Sequence, residues 1–195
     1  VGIKEYQERE EHSRLIELSP RYLYHLCKQA DGSPVTEGTY PRIAMKMLAE
    51  KGVCREECWP YRPYQDDRPC PEAEKQAGPY RIRTYGRLEG LEEMESSLTL
   101  NGPFLAGLEV FPQWFHAPSG RIAEPEKGER SLGGHAVCVV GYSRSEGFFK
   151  FKNSWGRDWG DRGYGYISYS YLDRYCLDAW SATDLIANPD ILARL

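Results

Sequence analysis

Two stretches decide the reading of this chain: "GGHAVCVVGY", Gly133 to Tyr142, and "FKNSWGRDWGDRGYGY", Phe151 to Tyr166. The first sets His135 at the mouth of an apolar, β-branched run. The second ends an alternating run, "FFKFKN", in which Phe149, Phe151 and Asn153 share one parity and Lys150 and Lys152 the other. In a strand that parity turns Asn153 inward with the phenylalanines. An inward amide without a partner costs about 1–3 kcal/mol, so Asn153 needs one. A histidine opening one strand and an inward asparagine closing another meet at one end of a sheet. The amide oxygen then accepts from one imidazole nitrogen and fixes the ring, and the other nitrogen faces a reacting group. That is the orienting half of a nucleophile–base–orienter triad. Trp155 is placed to cover the pair and exclude water. Gly156, Gly160 and Gly163 permit the tight turns around Trp155 and Trp159.

The rest of the composition narrows the class. At 195 residues the chain makes one large domain or two small lobes. Apolar residues are 41% and charged residues 28%, ordinary for a globular protein. The net charge of −4 offers no basic patch for nucleic acid. No apolar run is long enough to span a membrane, and no leader or compartment can be read from a chain that opens on Val1. The cysteines stand at 27, 54, 58, 70, 138 and 176. Cys54, Cys58 and Cys70 cluster in a proline-rich stretch where a disulfide is expected, with pairing among Cys27, Cys54, Cys58, Cys70 and Cys176 left open. The Cys54/Cys58 spacing has no second Cys/His pair beside it, so no metal site and no cofactor are expected.

Along the chain, residues 1–11 read as the tail of a helix with no cap ahead of it. Leu18-Ser19-Pro20 starts a second helix with an apolar stripe of Tyr22, Leu23 and Leu26. Pro41 opens a third, with Ile43, Met47 and Leu48 on one face and Gly52 as its stop. Residues 53–80 read as irregular. A short helix follows in "GLEEMESSLTL", then strands over 104–111, 136–142, 147–153 and 164–170. Residues 112–132 read as a long loop. The layout is α+β: a helical half, 1–86, a β-rich half, 87–182, and a tail, 183–195. His12 and His25 on helix surfaces and His116 in the loop read as solvated or structural.

The two opening stretches resemble the histidine and asparagine motifs of papain-like cysteine peptidases. The likeness continues through "LSPRYLYHLC", "EGTYPRIAMKMLAEKGVCREECWPYRP" and "CPEAEKQAGPYRI", and "VGIKEY" resembles the end of that family's central helix. It covers the chain from Val1 to about Ala182, and the "GVC..ECWPY" spacing is closer to microbial members. The resemblance implies a two-lobe fold, a helical left lobe and a β-barrel-like right lobe, with a substrate cleft between them. It makes His135 the general base, Asn153 its orienter, Trp155 and Trp159 the shield. It places Tyr40, Pro41, Gly134 and Ala136 in substrate binding, with Gly38 the first of two glycines whose backbone holds extended peptide. The second is Thr39 here, a departure whose side chain narrows the approach. The implied partner is a polypeptide substrate or inhibitor.

The family's nucleophilic cysteine has no counterpart in residues 1–195. Aligning "VGIKE" to the central helix puts it about seven residues ahead of Val1, which keeps His135 inside the usual ~130–150-residue spacing. Cys138, by strand parity, points away from His135. Cys27 faces the helical half, the 54–70 cluster lies on that half's outside, and Cys176 falls in a C-terminal segment away from His135. The expectation is therefore a peptidase chain that supplies base and orienter, inactive and weakly folded without its preceding segment. Two alternatives stay open: an inactive peptide-binding homologue, and acyl transfer by the same chemistry.

Overall fold

The computed structural model describes residues 1–13, 15–33, 35–62 and 68–184. The chain divides into two compact units, one of Val1–Gly86 with Ala182–Leu195, the other of Arg87–Ser181.

The first unit is built on three helices. α1 (Gly2–His12) buries Ile3 together with Lys4, Gln7 and Glu8, an unusual choice for an inward face. The charges are tolerated because they are paired: Lys4 Nζ lies 2.7 Å from Glu8 Oε1, one turn on. Gln7 Nε2 donates to Ala182 O at 3.1 Å, which ties the returning chain to this unit. α2 (Pro20–Ala30) starts as its sequence dictates. Ser19 Oγ accepts from Tyr22 N and donates to Trp59 O at 2.7 Å, and Pro20 occupies the first turn. α3 (Pro41–Glu50) buries Met45, Met47 and Leu48. Gly52 stops it at φ +80°, and no other residue fits, because a Cβ there would stand 2.0 Å from Ala77 O.

The stretch expected to be irregular contains a helix, α4 (Ala73–Ala77), followed by a 3-10 turn over Gly78–Tyr80. The cause is tertiary: Ala73 and Ala77 are both fully buried, which a five-residue segment cannot announce by periodicity. Cys58 and Cys70 form a disulfide. Cys54 does not lie on the outside, as the sequence suggested: it is 0% exposed, and its carbonyl accepts from Ser19 N at 2.9 Å. β1 (Ile82–Arg87) closes the unit, and Thr84 Oγ1 meets Thr183 Oγ1 at 2.8 Å.

The second unit is a sheet packed on two helices. α5 (Gly90–Leu100) precedes β2 (Phe104–Val110), β3 (Gly133–Ser143), β4 (Phe148–Lys152) and β5 (Tyr164–Ser168). α6 (Tyr169–Tyr175) and β6 (Cys176–Asp184) follow. The strand order is β6-β2-β3-β4-β5, with β1 beside β6, and β2 to β5 pair antiparallel in sequence. Phe104, Ala106, Leu108, Val139, Phe149, Phe151 and Ile167 are each 0% exposed and form the core with Tyr171 and Leu172. Each large side chain taken fully out of water contributes about 1.5–3 kcal/mol.

Two readings change here. The run expected as strand to residue 170 turns helical at Tyr169, because Ser168 caps α6, its Oγ accepting from Tyr171 N at 2.9 Å. β6 carries the chain past residue 182 to Asp184, so 183 and 184 belong to a strand rather than to a tail. Residues 185–195 of that expected tail lie outside the described residues.

Candidate active site

β3 and β4 carry the polar centre of the second unit. On β3, His135 shares its face with Val137 and Val139, the core face, while Ala136 and Cys138 take the other. Asn153 follows directly on β4, its backbone N–H bonded to Gly163 O at 2.9 Å. The expected inward turn is real: Asn153 is 8% exposed, beside the fully buried Phe149 and Phe151.

The two side chains meet. His135 Nε2 lies 2.8 Å from Asn153 Oδ1. The same Oδ1 accepts from the backbone N–H of Ser154 at 2.8 Å. That second bond settles the chemistry of the first. A backbone N–H can only donate, so the amide atom between it and the ring is the oxygen. An oxygen facing the ring makes Nε2 the donor, and neutral His135 carries its proton there. Nδ1 is left with its lone pair, and among the described residues it has no hydrogen-bond partner. A ring held in that tautomer can take a proton through Nδ1 alone. The other half of the amide is less well served: among the described residues Asn153 Nδ2 is buried without a partner. The fold bears that cost, about 1–3 kcal/mol, alongside a doubly anchored oxygen.

Aromatic rings surround the pair. Trp155 lies over His135 with ring centroids 5.0 Å apart, and Trp159 packs edge-on to Trp155 at 5.5 Å. Gly165 makes room for them, since a Cβ there would sit 2.2 Å from Phe151 Cζ and 2.8 Å from Trp159 Cη2.

The ring missed by sequence is Trp114. It sits in a 3-10 turn, Pro112–His116, within the expected loop, and is 0% exposed. Its edge meets His135 at 5.9 Å, and its Nε1 donates to Tyr171 Oη at 2.7 Å. Tyr171 Oη in turn donates to Glu109 O at 2.7 Å, and burial pushes this phenol up to about 12. Trp159 Nε1 donates to Trp114 O at 2.8 Å. The imidazole–amide bond is thus enclosed by indoles, of which Trp114 and Trp159 have their N–H groups satisfied, and low local polarity strengthens it.

Sulfur does not reach this centre within the second unit. Cys138 is paired across β3 with Leu105 and Lys152, on the face opposite His135. Cys176 is not remote from the row of His135: both are the cross-strand partners of Leu108. They remain two strand spacings apart, about 9–10 Å. Cys176 is also held as a thiol, burial pushing it up to about 11. In the first unit, burial likewise pushes Cys27 and Cys54 up to about 11.

The model of the papain family cysteine proteases matches residues 2–178. The chain belongs to the papain family. It is 28% identical over 203 residues to an uncharacterized peptidase C1-like protein of Acanthamoeba polyphaga mimivirus, covering 94% of this chain and 65% of that one. Among solved structures, xylellain, a cysteine protease from Xylella fastidiosa, superposes with a TM-score of 0.86 at 26% identity, over 95% of this chain and 77% of the other. A cysteine protease of Carica candamarcensis, solved in complex with E-64, gives a TM-score of 0.73 at 23% identity, over 94% and 85%. The fold is papain-like, α+β. The chain spans between 35% and 65% of the length of the curated relatives it matches.

The remaining residues singled out by this papain-family likeness fall on both units. Gly134 and Ala136 flank His135 on β3, both exposed. In the first unit, Tyr40 precedes α3 with its side chain 68% exposed, and Pro41 is the helix's first residue. Gly38 sits at φ +81°. Thr39 is half-buried, with its hydroxyl oxygen buried. Among the described residues, no helix is long and apolar enough to cross a membrane.

Proposed function

We propose that this chain supplies the base and the orienter of a cysteine peptidase that hydrolyses peptide bonds. The attacking thiol would come from the Gln- and Cys-bearing segment that precedes this region in the family. The observation that carries the reading is the 2.8 Å contact of His135 Nε2 with Asn153 Oδ1, whose identity as oxygen the Ser154 N–H fixes.

In this mechanism Nδ1 takes the thiol proton, giving a thiolate and an imidazolium. The thiolate attacks the scissile carbonyl, and the tetrahedral oxyanion collapses as the amine leaves with the Nδ1 proton. An acyl thioester remains. Water attacks it, Nδ1 takes the water's proton, and the tetrahedral intermediate collapses to the acid and a thiolate, the proton staying on Nδ1 or passing to sulfur. The Asn153 amide holds the imidazolium through Nε2–H at every stage, and Trp155 with Trp114 keeps water off that bond. In the first unit Gly38 to Pro41 are proposed contacts of an extended polypeptide; in the second unit Gly134 and Ala136, beside the base, are proposed substrate contacts. The E-64 complex of the Carica candamarcensis protease supports a peptide-like occupant of this kind.

The test is hydrolysis of a fluorogenic dipeptidyl amide by this chain joined, ahead of Val1, to such a Gln- and Cys-bearing segment. The expected result is thiol-dependent turnover that one equivalent of E-64 abolishes. Stoichiometric peptide binding with no turnover would instead identify the inactive binding homologue. Turnover with amines but not water as acceptor would identify a transferase.

A further inference from the structure

We propose that Lys28 is a positioning residue for the substrate strand: its ammonium closes the 31–38 loop and so presents the backbone of Thr39 to an extended peptide. This rests on the peptidase reading above.

The 31–40 segment contains no helix or strand among its described residues, so its shape depends on what ties it down. Lys28 Nζ spends all three donors on it. It lies 2.7 Å from Asp31 Oδ2, 2.7 Å from Thr36 O and 3.0 Å from Gly38 O. Asp31 is itself fixed, its Oδ1 accepting from Ser33 N at 2.9 Å, and its side chain is 2% exposed. From the other side, Gly38 N donates to Tyr24 Oη at 3.1 Å. Both backbone groups of Gly38 are therefore occupied.

One residue later the situation reverses. Among the described residues the N–H and C=O of Thr39 make no hydrogen bond, while the C=O of Tyr40 is taken by Ile43 N and Ala44 N at the start of α3. One residue with both backbone groups open is what an antiparallel peptide needs, because a hydrogen-bonded pair exchanges both bonds between two residues. Between the occupied Gly38 and the cap of α3, Thr39 is such a residue, and it is also the position of the second peptide-holding glycine in the family likeness. Charge-assisted bonds from one ammonium to three points hold it ready, and a strand held ready binds without first being ordered.

The experiment is Lys28→Met in the enzyme with its attacking cysteine, measured two ways. A dipeptidyl amide reads strand docking, and iodoacetamide reads the thiolate without using the strand. We expect KM to rise about tenfold with kcat held within about twofold and the alkylation rate unchanged. Lys28→Arg should recover most of the loss, and Asp31→Asn should raise KM about threefold. An unchanged KM in Lys28→Met overturns the proposal. So does a fall of kcat and alkylation rate in step with KM, which would mark a general loss of structure. If Lys28→Met lacks a cooperative melt, Asp31→Asn and Tyr24→Phe, each removing one anchor, decide by the same criteria. A parent enzyme that cleaves no peptide sinks the peptidase reading, and this proposal with it, before any variant is made.

Discussion

The His135–Asn153 centre and the loop around Lys28 are held by opposite means. The first is gripped from all sides: two strands in register, a doubly accepting amide oxygen and three indoles, one of them fully buried. The second is held at a few points by a lysine whose side chain is only 15% exposed and by one tyrosine hydroxyl. On the proposed reading, a group that passes protons is fixed by packing, where displacement means breaking a core. A backbone proposed to accept varied peptides is fixed by a few polar ties. The difference predicts that damage at the centre shows in rate, and damage to its packing in fold, while damage at the loop shows in affinity alone.

The largest expected effect is at the base. His135→Ala in the protein with its thiol should lower kcat/KM by about 10³–10⁴-fold, since a positioned base contributes on the order of 10²–10⁴ and the thiolate loses its counterion as well. Stopped-assay kinetics with the dipeptidyl amide would show it. A loss under tenfold would mean the ring is a structural histidine.

Next comes the packing beneath it. Trp114→Ala removes a fully buried indole, its hydrogen bond to Tyr171 Oη, and the floor under His135. It should cost about 3–5 kcal/mol of unfolding free energy in urea titration. A change below about 1 kcal/mol would break the contrast, because the centre would then not depend on its packing.

Asn153→Ala should be milder than either. The ring stays, but its tautomer and angle are no longer set, so kcat should fall about 10–100-fold with KM little changed. The stability loss should be small, since the variant also removes a buried donor that has no partner. A larger rise in KM than fall in kcat would move Asn153 from orienting the base to holding substrate.

The smallest effect concerns acid. Glu95 is buried on α5, and the Arg144 guanidinium, then the Tyr169 hydroxyl, holds its carboxyl below the ordinary value near 4.5. A carboxyl lowered in the folded state adds stability above its unfolded value and loses it as pH falls through the folded one. Melting curves should therefore show the gap between parent and Glu95→Gln greatest at neutral pH and shrinking below about pH 4.5. A gap that is independent of pH would mean the ion pair with Arg144 contributes nothing there.

What could be read in advance follows the same division. The His135–Asn153 meeting was legible because strand parity alone decides which way Asn153 faces. The Ser19 cap and Pro41 start were legible because they are local. Trp114 was not, because Pro112, Pro118 and Gly120 punctuate its surroundings as loop, while its burial is decided by Tyr171, 57 residues on. α6 was hidden by aromatic, strand-favouring residues that only the Ser168 cap turns into a helix. The Lys28 ties were invisible because two of their three acceptors are backbone carbonyls, which carry no residue identity.

The most direct measurement of the central claim is the proton position on the His135 ring, read from ¹⁵N shifts of labelled histidine above the pH at which the ring is charged. The account predicts a proton on Nε2 and a bare Nδ1, with that preference lost in Asn153→Ala. A proton on Nδ1, or a preference that survives loss of the amide, would contradict it.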